Sequence, residues 1–208
     1  MERLGGVQLM KRGWIGVGLV VASTLVIGSC GAGQPDDAAD GRAPTAEDTG
    51  AAWSVAPATA IDGASPYTED GITVQVPEGW VTDRAEDEGV VRIMVYDPAD
   101  ELNPVAITVS PDASDEAVDV QADVTWTQLG AAGATELERH PVEWTPWPYA
   151  QAITGVVERD DGAGSTFVSI SARDEAESVM VSVSAQTAEG GLEESLQYQV
   201  LQTVEPAS

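Results

Sequence analysis

Lysine is missing after residue 11 of this 208-residue chain, cysteine and histidine occur once each, at Cys30 and His140, and arginine is scarce. Against 9 Lys plus Arg stand 35 Asp plus Glu, for a formal net charge of -26 and a pI near 4.1. Each shortage excludes something. Nucleic-acid binding needs Lys and Arg to displace counterions from phosphates, so no nucleic-acid partner is expected. Attraction to anionic lipid headgroups needs basic clusters, and the field of this chain repels such surfaces. A single cysteine forms no internal disulfide. With one histidine and no spare thiol, zinc would have only carboxylates left as ligands, which disfavours a zinc site. A hydrolytic triad would need His140 within reach of a serine and a carboxylate. No G-x-S-x-G segment is present, so His140, which precedes Pro141, reads as an exposed or capping residue. No catalytic residue, metal or cofactor is expected.

The sequence also lacks an apolar run long enough for a comfortable membrane crossing, which takes about 20 residues. The run at residues 14–30 is shorter, contains Gly16, Gly18 and Gly28, and gives way to a polar, acidic segment. Lys11 and Arg12 precede it and Ile27-Gly28-Ser29-Cys30 end it, an order of basic, apolar, small and cysteine that is the layout of an export signal. The last four residues resemble the bacterial lipobox. That resemblance implies a lipoprotein signal peptide over residues 1–29, a diacylglycerol-modified Cys30 as lipid attachment site, and a protein held on the extracytoplasmic face of the cell membrane. A cleaved secretory signal without lipid, or an uncleaved anchor, are the rival readings, and all three export the rest of the chain. Glu2 puts an acid where a signal should be basic, so translation is expected to begin at Met10 and not at Met1. Removing residues 1–29 takes away Glu2, Arg3, Lys11 and Arg12, leaving 34 acids against six arginines.

Residues 30–66 are rich in Gly, Ala, Pro, Asp and Thr, with only Trp53, Val55 and Ile61 as larger apolar side chains. Too little is there to bury a core, and a flexible acidic tether is expected, with an r.m.s. span on the order of 30–35 Å. Trp53 either docks on the domain or stands as an isolated exposed aromatic.

Residues 67–208 are enough for one domain with a single core. Alternating apolar residues predict strands at 72–76, 90–96 and 105–109, the first running into the turn Pro77-Glu78-Gly79-Trp80. From 115 to 129 the period changes. Val118, Ala122, Trp126 and Leu129 fall in one stripe with Glu116, Asp119 and Asp123 beside it, the pattern of a helix on a sheet. Ser114 or Asp112 is its expected cap and Gly130 or Gly133 its end. Strands are expected at 136–144 and 149–159, then a hairpin of 166–172 with 179–186. Leu192, Leu196, Val200 and Val204 recur every four residues and predict a last helix, with Glu189, Glu193 and Glu194 at its positive end and Pro206 closing it. The sum is α+β: an antiparallel sheet of about six or seven strands with helices packed on it.

The strand leading into Pro77-Glu78-Gly79-Trp80, then strands, a helix, more strands and a closing helix ending Leu201-Gln202-Thr203-Val204, resembles the PsbP-like α/β/α sandwich. It is most similar to the LpqN-type lipoproteins of actinobacteria, and avoidance of lysine with abundant Ala, Gly, Asp and Glu fits a GC-rich genome of that kind. The resemblance implies helices on both faces of an antiparallel sheet, no enzymatic activity, and a role in binding partners or assisting assembly at a membrane surface.

The carboxylate runs Glu86-Asp87-Glu88, 97–101, 112–119 and Asp160-Asp161 offer oxygens to a divalent cation, but none matches the twelve-residue calcium loop. In so acidic a chain, solvated surface is the plainer reading. The corner Trp144-Thr145-Pro146-Trp147-Pro148-Tyr149 has two readings. Trp144, Trp147 and Tyr149 form either a rigid platform for a ligand, or strand ends whose rings seal the sheet. The expected function is a lipid-anchored, non-enzymatic surface protein binding an envelope protein or a hydrophobic ligand. An envelope hydrolase using acidic residues and a structural surface spacer are the alternatives.

Overall fold

Val and Ile alternating with Ser, Thr, Arg and Met give strands that bury one face, and the register of those faces builds the molecule. The computed structural model describes residues 52–111, 113–158 and 162–207. The signal segment 1–29, Cys30, the first part of the expected tether, Asp112 as a helix cap and the Asp160-Asp161 pair lie outside the described residues.

In chain order the elements are β1 (Trp53–Ser54), β2 (Ser65–Glu69), β3 (Ile72–Val76), β4 (Val81–Asp87), β5 (Val90–Tyr96), β6 (Val105–Ser110), α1 (Asp115–Ala131), β7 (Thr135–Glu143), β8 (Tyr149–Glu158), β9 (Gly164–Arg173), β10 (Met180–Ala188), α2 (Leu196–Gln202) and β11 (Glu205–Pro206). They form an eight-stranded sheet in the order β1-β7-β8-β9-β10-β6-β5-β4 and a three-stranded sheet β11-β3-β2. The fold is α+β. The expected single antiparallel sheet of six or seven strands is corrected in three respects: there are two sheets, the large one has eight strands, and it is mixed, because β1 runs parallel to β7.

Strands β2 and β4 escape the sequence pattern for one reason. Each lies at the edge of its sheet, where Pro66 in one and Asp83, Arg84, Glu86 and Asp87 in the other are tolerated because one strand side faces water. Both belong to hairpins with two-residue turns, Asp70-Gly71 and Glu88-Gly89, in which all four residues have positive φ; this is the mirror-image turn that suits the strand twist. At Gly71 the backbone demand is joined by space, since a Cβ there would sit 2.9 Å from Val179 Cγ2. The expected strand at 72–76 is β3, but Pro77 ends it and Gly79, at φ +84, redirects the chain. That bend puts β4 in the large sheet and leaves β3 in the small one.

The two faces of the large sheet are covered differently. On one face Val91, Ile93, Val95, Val105, Ile107, Val109, Val168, Ile170, Val181 and Val183 pack with Ile72 and Val74 of the small sheet and with Val200 and Leu201 of α2. On the other lies α1, through Val118 against Met180 and through Leu129 against Ile153 and Phe167. Ser114 caps α1, its hydroxyl accepting from Ala117 N at 3.1 Å, and Gly133, at φ +87, ends it. Acids of the helix then meet arginines of the sheet. Asp115 pairs with Arg173 at 2.5 Å, Asp123 with Arg139 at 2.6 Å and Asp119 with Arg139 at 3.3 Å. Asp119 also accepts from the Tyr149 hydroxyl at 3.0 Å. The spacing of four places the three aspartates on one side of the helix.

The last helix is shorter than expected. Residues 192–195 form a turn, and α2 starts only at Leu196 because the Ser195 hydroxyl caps Tyr198 N at 3.1 Å. Pro206 does not close the helix; it pairs with Ile72 in β11. The tether boundary moves as well. Within the expected tether, β1 pairs Trp53 with Val142, and Val55 is only 4% exposed. Few apolar residues suffice here because they finish a core made elsewhere.

Asp174 fixes the β9–β10 hairpin, and burial alone would raise its carboxyl pKa. The Ser178 hydroxyl at 2.6 Å and the backbone N–H groups of Val179 at 3.0 Å and Ser178 at 2.7 Å outweigh that and hold it below the usual carboxylate range. A depressed folded-state pKa contributes stability above the unfolded value of about 3.9 that is lost as pH falls through the folded one. Asp174→Asn should therefore lower the unfolding free energy at pH 7 by about 1–3 kcal/mol. Denaturant titrations at several pH values should show the gap to the wild type closing below about pH 4; a gap that stays constant to pH 2 refutes this role for the charge.

Candidate functional site

The Trp-Pro corner is not a ligand platform. Trp147 is fully buried and Trp144 is 4% exposed, the two rings tilted at 49° with centroids 5.9 Å apart. The Trp147 indole N–H donates to Val204 O at 2.9 Å, so the ring, its polar edge included, is consumed by the core. A stacking site needs an open ring face, and the two prolines point these rings inward instead. Tyr149 is half-buried, with Arg173 5.8 Å over its ring and its hydroxyl on Asp119. Burial first and the Asp119 hydrogen bond second raise its pKa. It belongs to the α1 docking face and shares no site with the two tryptophans.

A different cleft stands at the β1–β7 end of the large sheet, on the face shared with α2. It has a volume of about 750 Å³ and is lined by Ala52 and Trp53, by Glu138, His140, Thr154 and Thr166 from neighbouring strands, and by Gly190, Leu192, Glu193 and Glu194 between β10 and α2. Its geometry follows from register. Glu138 pairs with Thr154 and His140 with Ala152 across β7 and β8, so Glu138 and His140 share a face while Arg139 between them points to α1. Trp53 stacks on Tyr198 of α2, centroids 5.9 Å apart and planes 12° from parallel, and its ring lies 6.4 Å from that of His140. The Thr166 hydroxyl accepts from Gly190 N at 3.0 Å and pins the loop to β9, while Leu192 anchors it in the core. Tyr198 feels the acids of this loop. Burial first, then the negative charge of Glu193, push its hydroxyl up to about 12.

His140 invites a test for proton-relay chemistry. Its Nε2 lies 3.3 Å from Glu138 Oε2 and 3.3 Å from Thr154 Oγ1. A triad places the carboxylate on one ring nitrogen and the nucleophile on the other. Here both address the same nitrogen, so this contact set is not a relay. The carboxylate runs also have local work. Asp97 accepts from Ala99 N, Asp100 from the Asn103 amide, Glu86 from Arg84, and Asp115 and Asp119 serve α1. Among the described residues no three His, Cys, Asp or Glu side chains gather as a metal site would require.

Sequence reasoning missed this cleft because its lining comes from five separate segments. The one available signal was Trp53, a large aromatic alone in a stretch of small residues.

No protein-family model matches the chain, and no curated protein matches it. Among solved structures it is similar to the cyanobacterial PsbP, CyanoP, of Synechocystis, at 17% identity over 71% of this chain and 95% of that one, with a TM-score of 0.46. It is similar to LpqN of Mycobacterium tuberculosis, a protein involved in cell envelope biogenesis, at 14% identity over 71% of this chain and 87% of that one, with a TM-score of 0.39. A protein from Bacteroides thetaiotaomicron gives a TM-score of 0.47 at 14% identity; the match covers 70% of this chain and 49% of that one, so the chain spans about half its length.

Trp147→Ala should cost about 3–5 kcal/mol in chemical denaturation, as for other large buried aromatics. A loss below about 1 kcal/mol would mean that the ring is not part of the core.

Proposed function

We propose that this is an exported, lipid-anchored surface protein whose folded domain is a non-enzymatic binding module, with the Trp53–His140 cleft as its ligand site. The observation that carries the reading is where the chain enters the fold. The first strand, β1, supplies Trp53 to the cleft wall, and the lipobox-like Ile27-Gly28-Ser29-Cys30 lies upstream of it. With β1 starting at Trp53, about 20 residues separate Cys30 from the fold, an r.m.s. reach of about 25 Å for a coil. The cleft therefore belongs to the end of the domain nearest its anchor.

The PsbP-like assignment is part of this proposal. It is supported by β3 leading into Pro77-Glu78-Gly79-Trp80 and by α1 and α2 on opposite faces of the large sheet. The partner is an envelope protein or a hydrophobic ligand. Ala52, Trp53 and Leu192 stand in the lining beside three glutamates, a histidine and two threonines, so the cleft offers apolar and polar contacts together.

Two measurements test the reading. Cys30→Ser should leave an uncleaved precursor or release the protein from the detergent phase; unchanged processing and partitioning would remove the anchor from the proposal. Crosslinking of intact cells from a photoreactive residue at Ala52 should trap a partner, and a chain that traps none is a spacer.

A further inference from the structure

We infer that the outer edge of β4 accepts an added β-strand from a partner protein, an extended segment with a basic, an apolar and a basic residue at alternate positions. This edge lies at the opposite end of the large sheet from the cleft, so the inference goes beyond the reading above and does not depend on it.

An edge strand presents a row of main-chain donors and acceptors, and proteins blunt such rows with prolines, bulges or very short strands. The other edges here are blunted in those ways. β1 and β11 are two residues long, and β2 carries Pro66. β7 has a bulge between Thr135 and Glu138, and Pro141 precedes the Val142 and Glu143 that β1 covers. β4 has none of these devices. Its seven residues include no proline or glycine, all but Thr82 are exposed, and the pairing with β5 runs unbroken from Val81 opposite Tyr96 to Asp87 opposite Val90.

Register decides which of its backbone groups are free. The two-residue turn Glu88-Gly89 makes Asp87 and Val90 the hydrogen-bonded pair that closes the hairpin. Such pairs alternate along an antiparallel ladder, so the N–H and C=O groups of Thr82, Arg84 and Glu86 point outward. Among the described residues nothing bonds to them. An incoming strand meets those groups and completes the ladder.

Charge selects the strand. Asp83 and Asp87 share one face of β4 with Ala85 between them, and neither makes an ion pair among the described residues. Arg84, on the other face, is held by Asp70 and Glu86, and Arg92, opposite Ala85 on β5, pairs with neither aspartate. Opposite charges across a strand pair attract and like charges repel. A second copy of this edge would bring acids against acids. Residues 30–51 of the chain itself hold Asp36, Asp37, Asp40, Glu47 and Asp48 against Arg42 alone, and are no better matched. A foreign strand with basic residues opposite Asp83 and Asp87 and an apolar one opposite Ala85 is complementary.

The test is calorimetric titration of the full-length protein with the peptide acetyl-Thr-Lys-Thr-Val-Thr-Lys-Thr-amide in about 0.15 M salt, where general attraction is screened beyond about 8 Å. The peptide should bind, and at a free concentration about ten times its Kd amide hydrogen exchange at Thr82, Arg84 and Glu86 should slow about tenfold. Asp83→Asn with Asp87→Asn should weaken binding about three- to tenfold. Glu116→Gln with Glu175→Gln, which removes the same charge away from β4, should leave it unchanged. Thr82→Pro deletes one outward donor and no charge, and should weaken binding about fivefold. Equal weakening by the two charge pairs would show attraction to the overall field and overturn the inference. So would an absence of binding, or binding that leaves those three amides exchanging freely. Sedimentation without peptide tests the other occupant: a dimer in which the same amides are protected assigns the edge to a second copy and overturns the basic partner.

Discussion

The indole N–H of Trp147, 2.9 Å from the carbonyl of Val204, fixes how the covering layer sits on the large sheet. Trp147 belongs to the corner between β7 and β8, and Val204 to the chain just past α2, so the bond joins two regions 57 residues apart in sequence. From Val204 the chain runs straight into β11, whose Glu205 pairs with Thr73 of β3, while the Thr203 hydroxyl accepts from Gln75 N at 2.9 Å. One buried ring thus sets α2, β11 and through them the small sheet. Once α2 is seated against β10, β6 and β3, the same face at the β7–β8 end is left for Trp53 and the 190–194 turn to cover. They cover it incompletely, and the gap is the cleft.

Charge is distributed with the same economy. A chain with a net charge of -26 repels itself on folding, and Arg84, Arg139 and Arg173 stand where acids approach the sheets. Arg139 is buried with only 7% exposure, yet Asp119, Asp123 and Gln151 reach it. A guanidinium with five donors accepts such crowding where an ammonium would not. Arg173 does the same for Asp115 while lying over the Tyr149 ring. Arg139 and Arg173, engaged in docking α1, do not line the cleft.

Strands β3, β5, β6, β9 and β10 were legible because each buries one whole face, so apolar and small polar residues alternate along it. Helix α1 was legible from Val118, Ala122 and Leu129, with Ser114 as its cap. Strands β2 and β4 were not, since an edge strand in contact with water carries no such alternation. The Trp144-Thr145-Pro146-Trp147 corner shows the limit from the other side: composition marks it as unusual, but whether rings held by prolines face inward or outward depends on Val204, 57 residues on. The four-residue period of Leu192, Leu196, Val200 and Val204 was real, and all of these side chains but Leu196 are buried. It ran through a turn, a helix and the link to β11, because burial alone does not require one element.

The cleft was illegible for a deeper reason. Glu138 and His140 are ordinary residues of an exposed strand until β8 sets their face, and Glu193 and Glu194 look like helix-dipole partners until Ser195 moves the helix start past them. Trp53 joins them only through β1, two residues long and held by pairing with Val142 and Glu143 and by the Val55 N to Glu143 O bond at 3.0 Å. So short a strand is among the least protected parts of a fold. A ligand that touches Trp53 binds the docked form of β1 in preference to the undocked one, and by mass action it stabilises that form in proportion to its saturation. If the cleft is the ligand site proposed above, its occupancy and the docking of β1 are coupled through a single indole ring.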